Sequence, residues 1–256
     1  MGAAMKVIAV PCLSDNYAYL IHREGSARAA VVDPSEAEPV EAALKEHGLT
    51  LDAVLLTHHH YDHVGGVGAL AAARQGLPVW AHASERERIE GQTHGVEHEG
   101  EATVAGITLR ALHVPGHTLG AVTWVGEGEA FTGDTLFLAG CGRLFEGTPE
   151  AMHRSLNAVL GALPGETRVW CGHEYTVRNL GFARSIEPER EALAEAEARA
   201  KAARARGEPT VPGTMAEQRA VNPFLRCGDE GLRAALGVGG GEVEVFAALR
   251  ARRDQW

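Results

Sequence analysis

The stretch THHHYDHVGG, residues 57–66, places four histidines and an aspartate between His58 and His63. It continues AVLLT (53–57), an apolar run typical of a buried strand. Burying so many ionisable groups without a cation would be costly, so the stretch predicts a metal site on the loop leaving that strand. The candidate ligands form an HxHxDH pattern: His58, His60, Asp62 and His63. His59 occupies an x position and, in an extended chain, points the other way.

Three further strand-like runs each end at one candidate ligand. LRALHV (109–114) leads into His117, EAFTG (129–133) into Asp134, and TRVWCG (167–172) into His173. If these strands share an edge, seven nitrogen and oxygen ligands converge, which is too many for one tetrahedral metal. Two metals about 3.5–4 Å apart, sharing one carboxylate, would hold a water as hydroxide at neutral pH. Imidazole and carboxylate ligands suit zinc, and also iron or manganese.

Other residues of similar chemistry receive no metal role. Cys171 lies two residues before His173, and we interpret it as a small core thiol. The glycines of VGGVG (64–68) indicate close packing of a helix against a strand, with phosphate binding as a minor alternative. The isolated histidines are assigned to surface or core positions: His22, His47, His82, His94, His98, His113 and His153.

The predicted secondary structure of the chain changes near residue 175. Up to that point short β-rich runs alternate with helical segments, which predicts an α/β (α+β) fold of sheets packed together and covered by helices. From residue 176 the sequence is helical, including an alanine-rich run with i,i+4 pairs, Glu195 with Arg199 and Glu197 with Lys201. TMAE (214–217) predicts a capping box. We therefore expect a catalytic domain over residues 1–175 and a helical substrate-binding domain over 176–256.

Composition limits the class of partner. The chain has 256 residues, 45% of them hydrophobic, and a formal net charge of -10, so we expect neither nucleic acid nor a membrane as partner. No stretch approaches the roughly 20 apolar residues of a spanning helix. The four cysteines form no CxxC pair, which indicates reduced thiols in a cytoplasmic protein. We expect a monomer.

The metal motif resembles that of the metallo-β-lactamase superfamily, in which HxHxDH is followed by distant His, Asp and His. The resemblance implies an αββα sandwich of two mixed sheets with helices outside. It also implies that one metal takes His58, His60 and His117 and the other takes Asp62, His63 and His173. Asp134 would bridge the two, so that Asp62 and Asp134 are the catalytic carboxylates beside a metal-bound hydroxide.

Longer segments are similar to one family of this superfamily, the hydroxyacylglutathione hydrolases, also called glyoxalase II. They are PCLSDNYAYLI, PGHTLGAVTW, FTGDTLFLAGCGRLFEGTPEAMHRSL, CGHEYTVRNLGFA, NPFLR and RRDQW, and they extend from the N-terminal region to the last residue. The resemblance implies hydrolysis of S-(2-hydroxyacyl)glutathione, typically S-lactoylglutathione, to glutathione and a 2-hydroxy acid such as lactate. This reaction serves methylglyoxal detoxification.

The same resemblance implies a set of residues that bind the glutathione moiety: Arg143, Phe145, Tyr175, Asn179, Arg250 and Arg253. Arg250 and Arg253 are three apart on a predicted helix and share a face, so two cations there would clamp a carboxylate. The family usually has Lys at position 143 and Tyr at 145. The change to Phe145 removes a hydroxyl hydrogen bond typically worth about 0.5–1.5 kcal/mol, which bears on substrate affinity.

Three alternatives stay open at this point. One is a persulfide dioxygenase of the same superfamily, with a single iron held by two histidines and an aspartate. The CGRLFEGT stretch and the helical tail argue against it. A lactamase or lactonase fits the paired arginines less well. A non-catalytic metal-binding protein would have a closed metal site, whereas catalysis needs an open position.

Overall fold

The computed structural model describes residues 3–256, which form two compact units. The first unit extends to His113 and includes Gly120–Gly133. The second contains Val114–Leu119 and Asp134–Trp256.

The first unit begins with a mixed six-stranded sheet. Its strands are β1 Met5–Cys12, β2 Asn16–Arg23, β3 Arg28–Val32, β4 Thr50–Leu55, β5 Val79–His82 and β6 His94–Val96. They lie in the order β1-β2-β3-β4-β5-β6. The pairs β1–β2 and β2–β3 are antiparallel, and the remaining three pairs are parallel. Because β3 and β4 are parallel, their carboxyl ends meet at one edge of the sheet, where the predicted metal stretch begins.

Helices α1 (Ala37–Glu46) and α3 (Val67–Ala72) cover one face of this sheet. Alternation along β2 places Ala18 and Leu20 on that face, in one hydrophobic core with Val40 of α1 and Leu70 of α3. The intervening residues, such as Tyr19, point to the opposite face. The prediction of buried apolar strands covered by helices is therefore confirmed for this unit.

A second sheet of the first unit packs against that opposite face. Its strands are β7 Glu101–Val104, β8 Ile107–His113, β9 Val122–Gly126 and β10 Glu129–Gly133. Each pairs antiparallel with the next along the chain. The rings of Tyr19 and Phe131 lie 5.7 Å apart, and Trp124 Nε1 donates to Leu56 O at 3.0 Å. These contacts join the two sheets as a sandwich.

The metal stretch leaves β4 and enters the short helix α2 (Tyr61–Val64). Gly65 and Gly66 serve close packing, as predicted, whereas Gly68 has open space around it. A Cβ built on Gly65 would lie 2.6 Å from Ser35 O, and one on Gly66 would lie 2.7 Å from Pro34 O. A residue larger than glycine at position 65 or 66 would collide with the backbone that follows β3. Glycine is therefore required at both positions.

The second unit contains short strands and most of the helices. The strands are β11 Leu136–Phe137, β12 Gly140–Cys141, β13 Arg168–Cys171 and β14 Gly213–Thr214. The helices are α4 Pro149–Arg154, α5 Thr176–Ile186, α6 Glu191–Ala205, α7 Met215–Val221, α8 Glu230–Leu236 and α9 Glu242–Gln255. Strand β11 pairs with β12 and β13 with β14, both antiparallel. Leu180, Leu193 and Val221 join α5, α6 and α7 in one core.

Local sequence signals in this unit are confirmed with one correction. Thr148 caps α4, and Thr214 with Glu217 forms the predicted capping box of α7. Lys201 pairs with Glu197 as predicted, at 2.7 Å. The predicted pair of Glu195 with Arg199 is wrong: within residues 3–256, Arg199 pairs with Glu217 at 3.8 Å. Glu217 belongs to α7, so the partner of Arg199 depends on a contact between two helices that the sequence of α6 alone does not show.

Over the part of the chain that the structure describes, no helix combines the length and the apolarity that crossing a membrane requires.

Candidate metal centre and adjoining pocket

In the first unit, the HxHxDH stretch brings its ligand atoms together. His58 Nε2 lies 3.1 Å from His60 Nδ1, and His63 Nε2 lies 3.7 Å from Asp62 Oδ2. His58 and His63 are both only 1% exposed. Ligand atoms about 3.4 Å apart are what a shared tetrahedral cation with bonds near 2.1 Å requires. The donor chemistry of this stretch therefore fits a divalent metal.

Asp33, directly after β3, orients two of these histidines. Its Oδ1 accepts from Thr57 N at 2.8 Å, and its Oδ2 accepts from Thr57 Oγ1 at 2.6 Å and from His63 Nδ1 at 3.0 Å. Since the Thr57 hydroxyl proton goes to Asp33, Thr57 Oγ1 accepts from His58 Nδ1 at 3.0 Å. Both imidazoles are thus held in the tautomer that leaves Nε2 with its lone pair.

Sequence analysis missed Asp33, although a usable signal was present. AAVVD is an apolar run ending in an acid, the same pattern that singled out Asp134. Asp33 also has a φ of 48°, in the left-handed region that aspartate tolerates better than most residues. Asp33, His58 and His63 together form a buried group of metal-ligating type. His59 points elsewhere, as predicted, with Nδ1 2.5 Å from Glu85 Oε2.

In the second unit, one carboxylate oxygen lies between two imidazoles. Asp134 Oδ2 is 3.5 Å from His117 Nε2 and 3.3 Å from His173 Nε2. His117 Nδ1 donates to Arg143 O at 2.8 Å, which directs its Nε2 towards Asp134. The ring of Tyr175 stacks on that of His173 at 4.7 Å and 6°. A carboxylate oxygen this close to two imidazole nitrogens can bind a metal together with either histidine.

Glycines lie close to two of these residues, Asp134 and His117, and to the chain beside them. A Cβ on Gly142 would lie 2.0 Å from Asp134 O and 2.8 Å from His117 Nδ1. One on Gly116 would lie 2.4 Å from Met152 Sδ, and one on Gly147 would lie 2.6 Å from Gly116 Cα. The chain around Asp134 and His117 therefore leaves no room for a side chain at positions 116, 142 and 147.

Cys171 is a buried core thiol, as expected. It is fully buried, its thiol donates to His173 O at 3.4 Å, and burial raises its pKa to about 12. All four cysteines are free and buried, in agreement with the expectation of reduced thiols.

A pocket of about 240 Å³ in the second unit includes His117 and Asp134 in its wall. Every residue predicted to bind the glutathione moiety also lines it: Arg143, Phe145, Tyr175, Asn179, Arg250 and Arg253. Arg178 and Asp254 line it as well, and neither was singled out from the sequence. The pocket thus presents four guanidinium groups and two carboxylates, a balance suited to an anionic ligand.

The two predicted clamp arginines differ in how their donors are used. Arg250 is buried and gives Nη1 to Cys141 O at 2.9 Å, while its Nε and Nη2 bond to Asp254 Oδ1 at 3.1 and 2.9 Å. Arg253 bonds to Asn179 Oδ1 at 3.3 Å and lies between the rings of Phe182 and Trp256. Burial, followed by the positive charges of Arg178 and Arg250, lowers the pKa of Arg253 to about 10. Arg253 therefore stays charged at neutral pH, and the negative charge of Asp254 offsets only part of the effect of burial and of the two arginines.

The aromatic residues of the pocket differ in exposure. Phe145 is 61% exposed, and its ring meets that of His117 edge-on at 5.2 Å. Tyr175 lies between His173 and Phe137. Phe145 thus offers an apolar surface next to a predicted ligand, which suits contact with an acyl or thioether group.

A larger cavity of about 350 Å³ lies among α5, α6 and α7. Alanines of α6 form much of its wall, and its cation, Arg199, pairs with Glu217. Its lining fits an anionic substrate far less well than the pocket beside His117 and Asp134.

Comparison with known proteins agrees with the fold. The profile of the metallo-beta-lactamase superfamily matches residues 14–173, and that of the hydroxyacylglutathione hydrolase C-terminus matches residues 174–256. The hydroxyacylglutathione hydrolase of Alkalilimnicola ehrlichii is 49% identical over 98% of this chain and 99% of its own length. That of Cupriavidus taiwanensis is 48% identical with the same coverage.

Solved structures show the same fold. The chain is similar to ETHE1 from Myxococcus xanthus, with a TM-score of 0.66 and 26% identity over 98% of both chains. It is similar to the BLEG-1 B3 metallo-beta-lactamase, with a TM-score of 0.64 and 26% identity over 87% of this chain and all of that one. TTHA1623 in a di-iron-bound form gives a TM-score of 0.60 and 27% identity over 86% of this chain and all of that one.

The sandwich of sheets and the histidine and aspartate donors define a metalloenzyme of the metallo-beta-lactamase superfamily, with a centre for divalent metal. This confirms the predicted αββα fold with a C-terminal helical domain. Within that superfamily, the chain belongs to the hydroxyacylglutathione hydrolase family, whose members are thioester hydrolases.

Proposed function

We propose that this chain hydrolyses S-(2-hydroxyacyl)glutathione, with S-lactoylglutathione as the typical substrate, to glutathione and a 2-hydroxy acid. The observation that carries the proposal is the pocket of the second unit, which joins Asp134 and His117 to four guanidinium groups. Such a pocket places two candidate metal ligands next to cations. These cations could bind glutathione, a tripeptide that carries two carboxylates. The names of the relatives support the same substrate class.

The metal centre is proposed to be binuclear. Its ligands would be His58, His60 and His117 for one cation, Asp62, His63 and His173 for the other, and Asp134 for both. The support is the ligand pattern of the superfamily and the position of Asp134 Oδ2 between two imidazole nitrogens. Zinc fits a ligand set of imidazoles and carboxylates. The di-iron form of TTHA1623 makes iron the first alternative to test.

Two bound cations would lower the pKa of water and stabilise negative charge on the carbonyl oxygen of the thioester. The chain's own residues orient the reactants. Asp33, Thr57 and the Arg143 carbonyl fix the tautomers of three histidines. Water adds to the thioester carbon and gives up its protons to solvent, the C–S bond breaks, and the products leave as the glutathione thiolate and the carboxylate of the 2-hydroxy acid. Because a thiolate is a good leaving group, no general acid beside the sulfur is needed.

The pocket residues hold the glutathione moiety. Arg143 and Arg253 provide positive charge, Asn179 orients Arg253, and Tyr175 and Phe145 provide ring surfaces. We further propose that residues 1–175 supply most of the chemistry and residues 176–256 most of the substrate contacts. The protein would act as a cytoplasmic monomer.

The test is a thioesterase assay on purified, metal-loaded protein. Release of free thiol from S-lactoylglutathione under anaerobic conditions, with loss of activity after chelation, is the expected result. Oxygen consumption with glutathione persulfide and no thiol release from the thioester would support the dioxygenase instead. Bound metal without either activity would support a non-catalytic protein.

A further inference from the structure

The cavity of about 350 Å³ among α5, α6 and α7 has no part in the proposed reaction. Its buried wall is mostly apolar and includes Leu138, Leu180 and alanines of α6. The charged residues that line it are all exposed: Glu195, Arg199 and Glu217. A cavity of this volume can hold a small organic molecule. The buried part suits an uncharged molecule, because burying an unpaired charge is costly.

A buried amide donor faces this cavity. Gln218 of α7 is 3% exposed and lines the cavity. Its Oε1 accepts from Ala139 N at 2.7 Å, and its Nε2 lies 3.1 Å from the point where a Cβ of Gly213 would be, in the same wall. Among residues 3–256, Gln218 Nε2 has no hydrogen-bond acceptor. A buried donor without an acceptor is costly, so a ligand that presents an oxygen to Nε2 is favoured.

The threonines of the same wall have their hydroxyl protons in use. Thr210 Oγ1 donates to Glu174 Oε1 at 2.7 Å and lies 2.6 Å from Thr176 Oγ1. Since the Thr210 proton goes to Glu174, the Thr176 hydroxyl donates to Thr210. Gln218 Nε2 is therefore the side-chain donor that the buried wall leaves for a ligand, and the carbonyl oxygen of an uncharged molecule is a matching acceptor.

The turn between β11 and β12 separates the cavity from the substrate pocket. Leu138 and Ala139 of this turn line the cavity. Phe137 and Cys141, on either side of them in the chain, line the pocket beside the candidate metal ligands. The two binding spaces of the second unit therefore share one short stretch of backbone.

Hydrogen bonds connect this turn to both spaces. Leu138 O accepts from Nδ2 of Asn179, a residue of the substrate pocket, at 3.1 Å. Ala139 has a φ of 58°, in the left-handed region that residues other than glycine rarely adopt, and its N–H is held by Gln218. The Gln218 amide thus holds the turn with its oxygen and faces the cavity with its nitrogen.

We propose that this cavity binds a small uncharged molecule with an apolar body and a carbonyl oxygen that accepts from Gln218 Nε2, and that its binding strengthens binding in the substrate pocket. A ligand packed against Leu138 stabilises the conformation of the turn that also holds Asn179, so both sites favour the same state. The coupling is reciprocal, so a ligand of the substrate pocket strengthens binding in the cavity by the same factor. The coupling rests on the proposed function, whereas the cavity site does not.

The first experiment titrates the full-length, metal-loaded protein with cyclohexanone and follows the backbone amides by NMR. Saturable shifts are expected at Ala139, Leu180 and Ala200, which line the cavity. Cyclohexanecarboxylate, which carries an anion in place of the ketone, should bind more weakly. No saturable shift at these amides, or tighter binding of the carboxylate, would overturn the proposal.

Variants test the contact and its location. Gln218→Glu keeps an oxygen for Ala139 N and loses the free amino group, so the Kd for cyclohexanone should rise about fivefold, as expected for one net hydrogen bond. Ala200→Leu fills the cavity and should abolish the shifts. Ala198→Leu is the matched control, because Ala198 is exposed on the same helix and does not line the cavity. Wild-type affinity in Gln218→Glu or in Ala200→Leu would contradict the assignment.

A further titration, with saturating S-methylglutathione present, tests the coupling. The Kd for cyclohexanone should fall about fivefold, at the lower end of typical coupling between two sites. An unchanged Kd would refute the coupling. If S-methylglutathione itself shifts no amide of the substrate pocket, the proposed function fails instead, and the titration with cyclohexanone alone still decides whether the cavity is a site.

Discussion

Replacement of Asp33 by Asn should weaken metal binding without dismantling the fold. Asp33 presents two acceptor oxygens to three donors, Thr57 N, Thr57 Oγ1 and His63 Nδ1. Asn keeps the shape of the side chain but has one acceptor oxygen and an amino group in place of the other. The oxygen can continue to accept from Thr57 N, so the change falls on the two contacts made by Oδ2.

The size of the effect follows from these contacts. A hydrogen bond to a charged group contributes about 1.5–3 kcal/mol. The Thr57 hydroxyl can rotate and accept from the new amino group, so the lasting loss is the bond from His63 Nδ1. That energy corresponds to about 10- to 150-fold in an equilibrium constant, close to the 10- to 100-fold typical of residues that orient metal ligands. We expect zinc affinity to fall by roughly 10- to 100-fold.

The assay is a zinc titration in competition with a chromophoric chelator, with circular dichroism to check the fold. Asp52→Asn is the matched control in the same unit, since Asp52 pairs with Arg28 at the surface. It removes the same charge and should leave zinc affinity unchanged. Wild-type affinity in Asp33→Asn would refute the reasoning, as would an equal loss in the Asp52 control.

Further predictions concern the bridging ligand, a buried ion pair and the thiols. Asp134→Ala should lose both metal occupancy and turnover, and two full metal equivalents by mass spectrometry would exclude a bridge. Arg226 is buried and bonded to Glu187 and Asp229, so Arg226→Ala should lower the free energy of unfolding in urea by about 3–5 kcal/mol. The hydrogen bond from Arg226 lowers the pKa of Asp229, so its stabilisation is present above about pH 3.9 and is lost as pH falls through the lower folded pKa. In Arg226→Ala, the free energy of unfolding should therefore depend less on pH in this acid range. Since burial raises the pKa of Cys171 to about 12, its thiol should resist Ellman's reagent at neutral pH and react once the chain is denatured.

Local pattern was sufficient to predict that the candidate ligands of the first unit lie close together. His58, His60, Asp62 and His63 lie within one short stretch after an apolar strand, so their proximity is set by the chain itself. The stop and start signals of the helices were also local, as the capping box at Thr214 shows. Such features depend on neighbours a few residues away and are readable from one sequence.

The residues that were missed depend on contacts distant in sequence. Asp33 meets Thr57 because β3 and β4 are parallel neighbours, which no short window reveals. Arg250 looked like a free cation on a helix face, and the carbonyl of Cys141 that occupies it lies 109 residues away. Arg178 was not singled out from the sequence, and the structure places it in the pocket wall. The sequence shows which residues have side chains that could bind a ligand. The fold determines which of these side chains line the pocket and which are already bonded within the protein.

The glycine positions around His117 and Asp134 limit how this enzyme can be redesigned. Gly116, Gly142 and Gly147 allow no added carbon, so libraries that vary them should yield mostly unfolded or metal-free protein. Changes in acyl or thiol preference must instead come from exposed positions such as Phe145 and Arg178. Natural homologues that differ in substrate specificity should follow the same division. Positions 116, 142 and 147 should stay glycine, and exposed pocket residues such as those at 145 and 178 should vary.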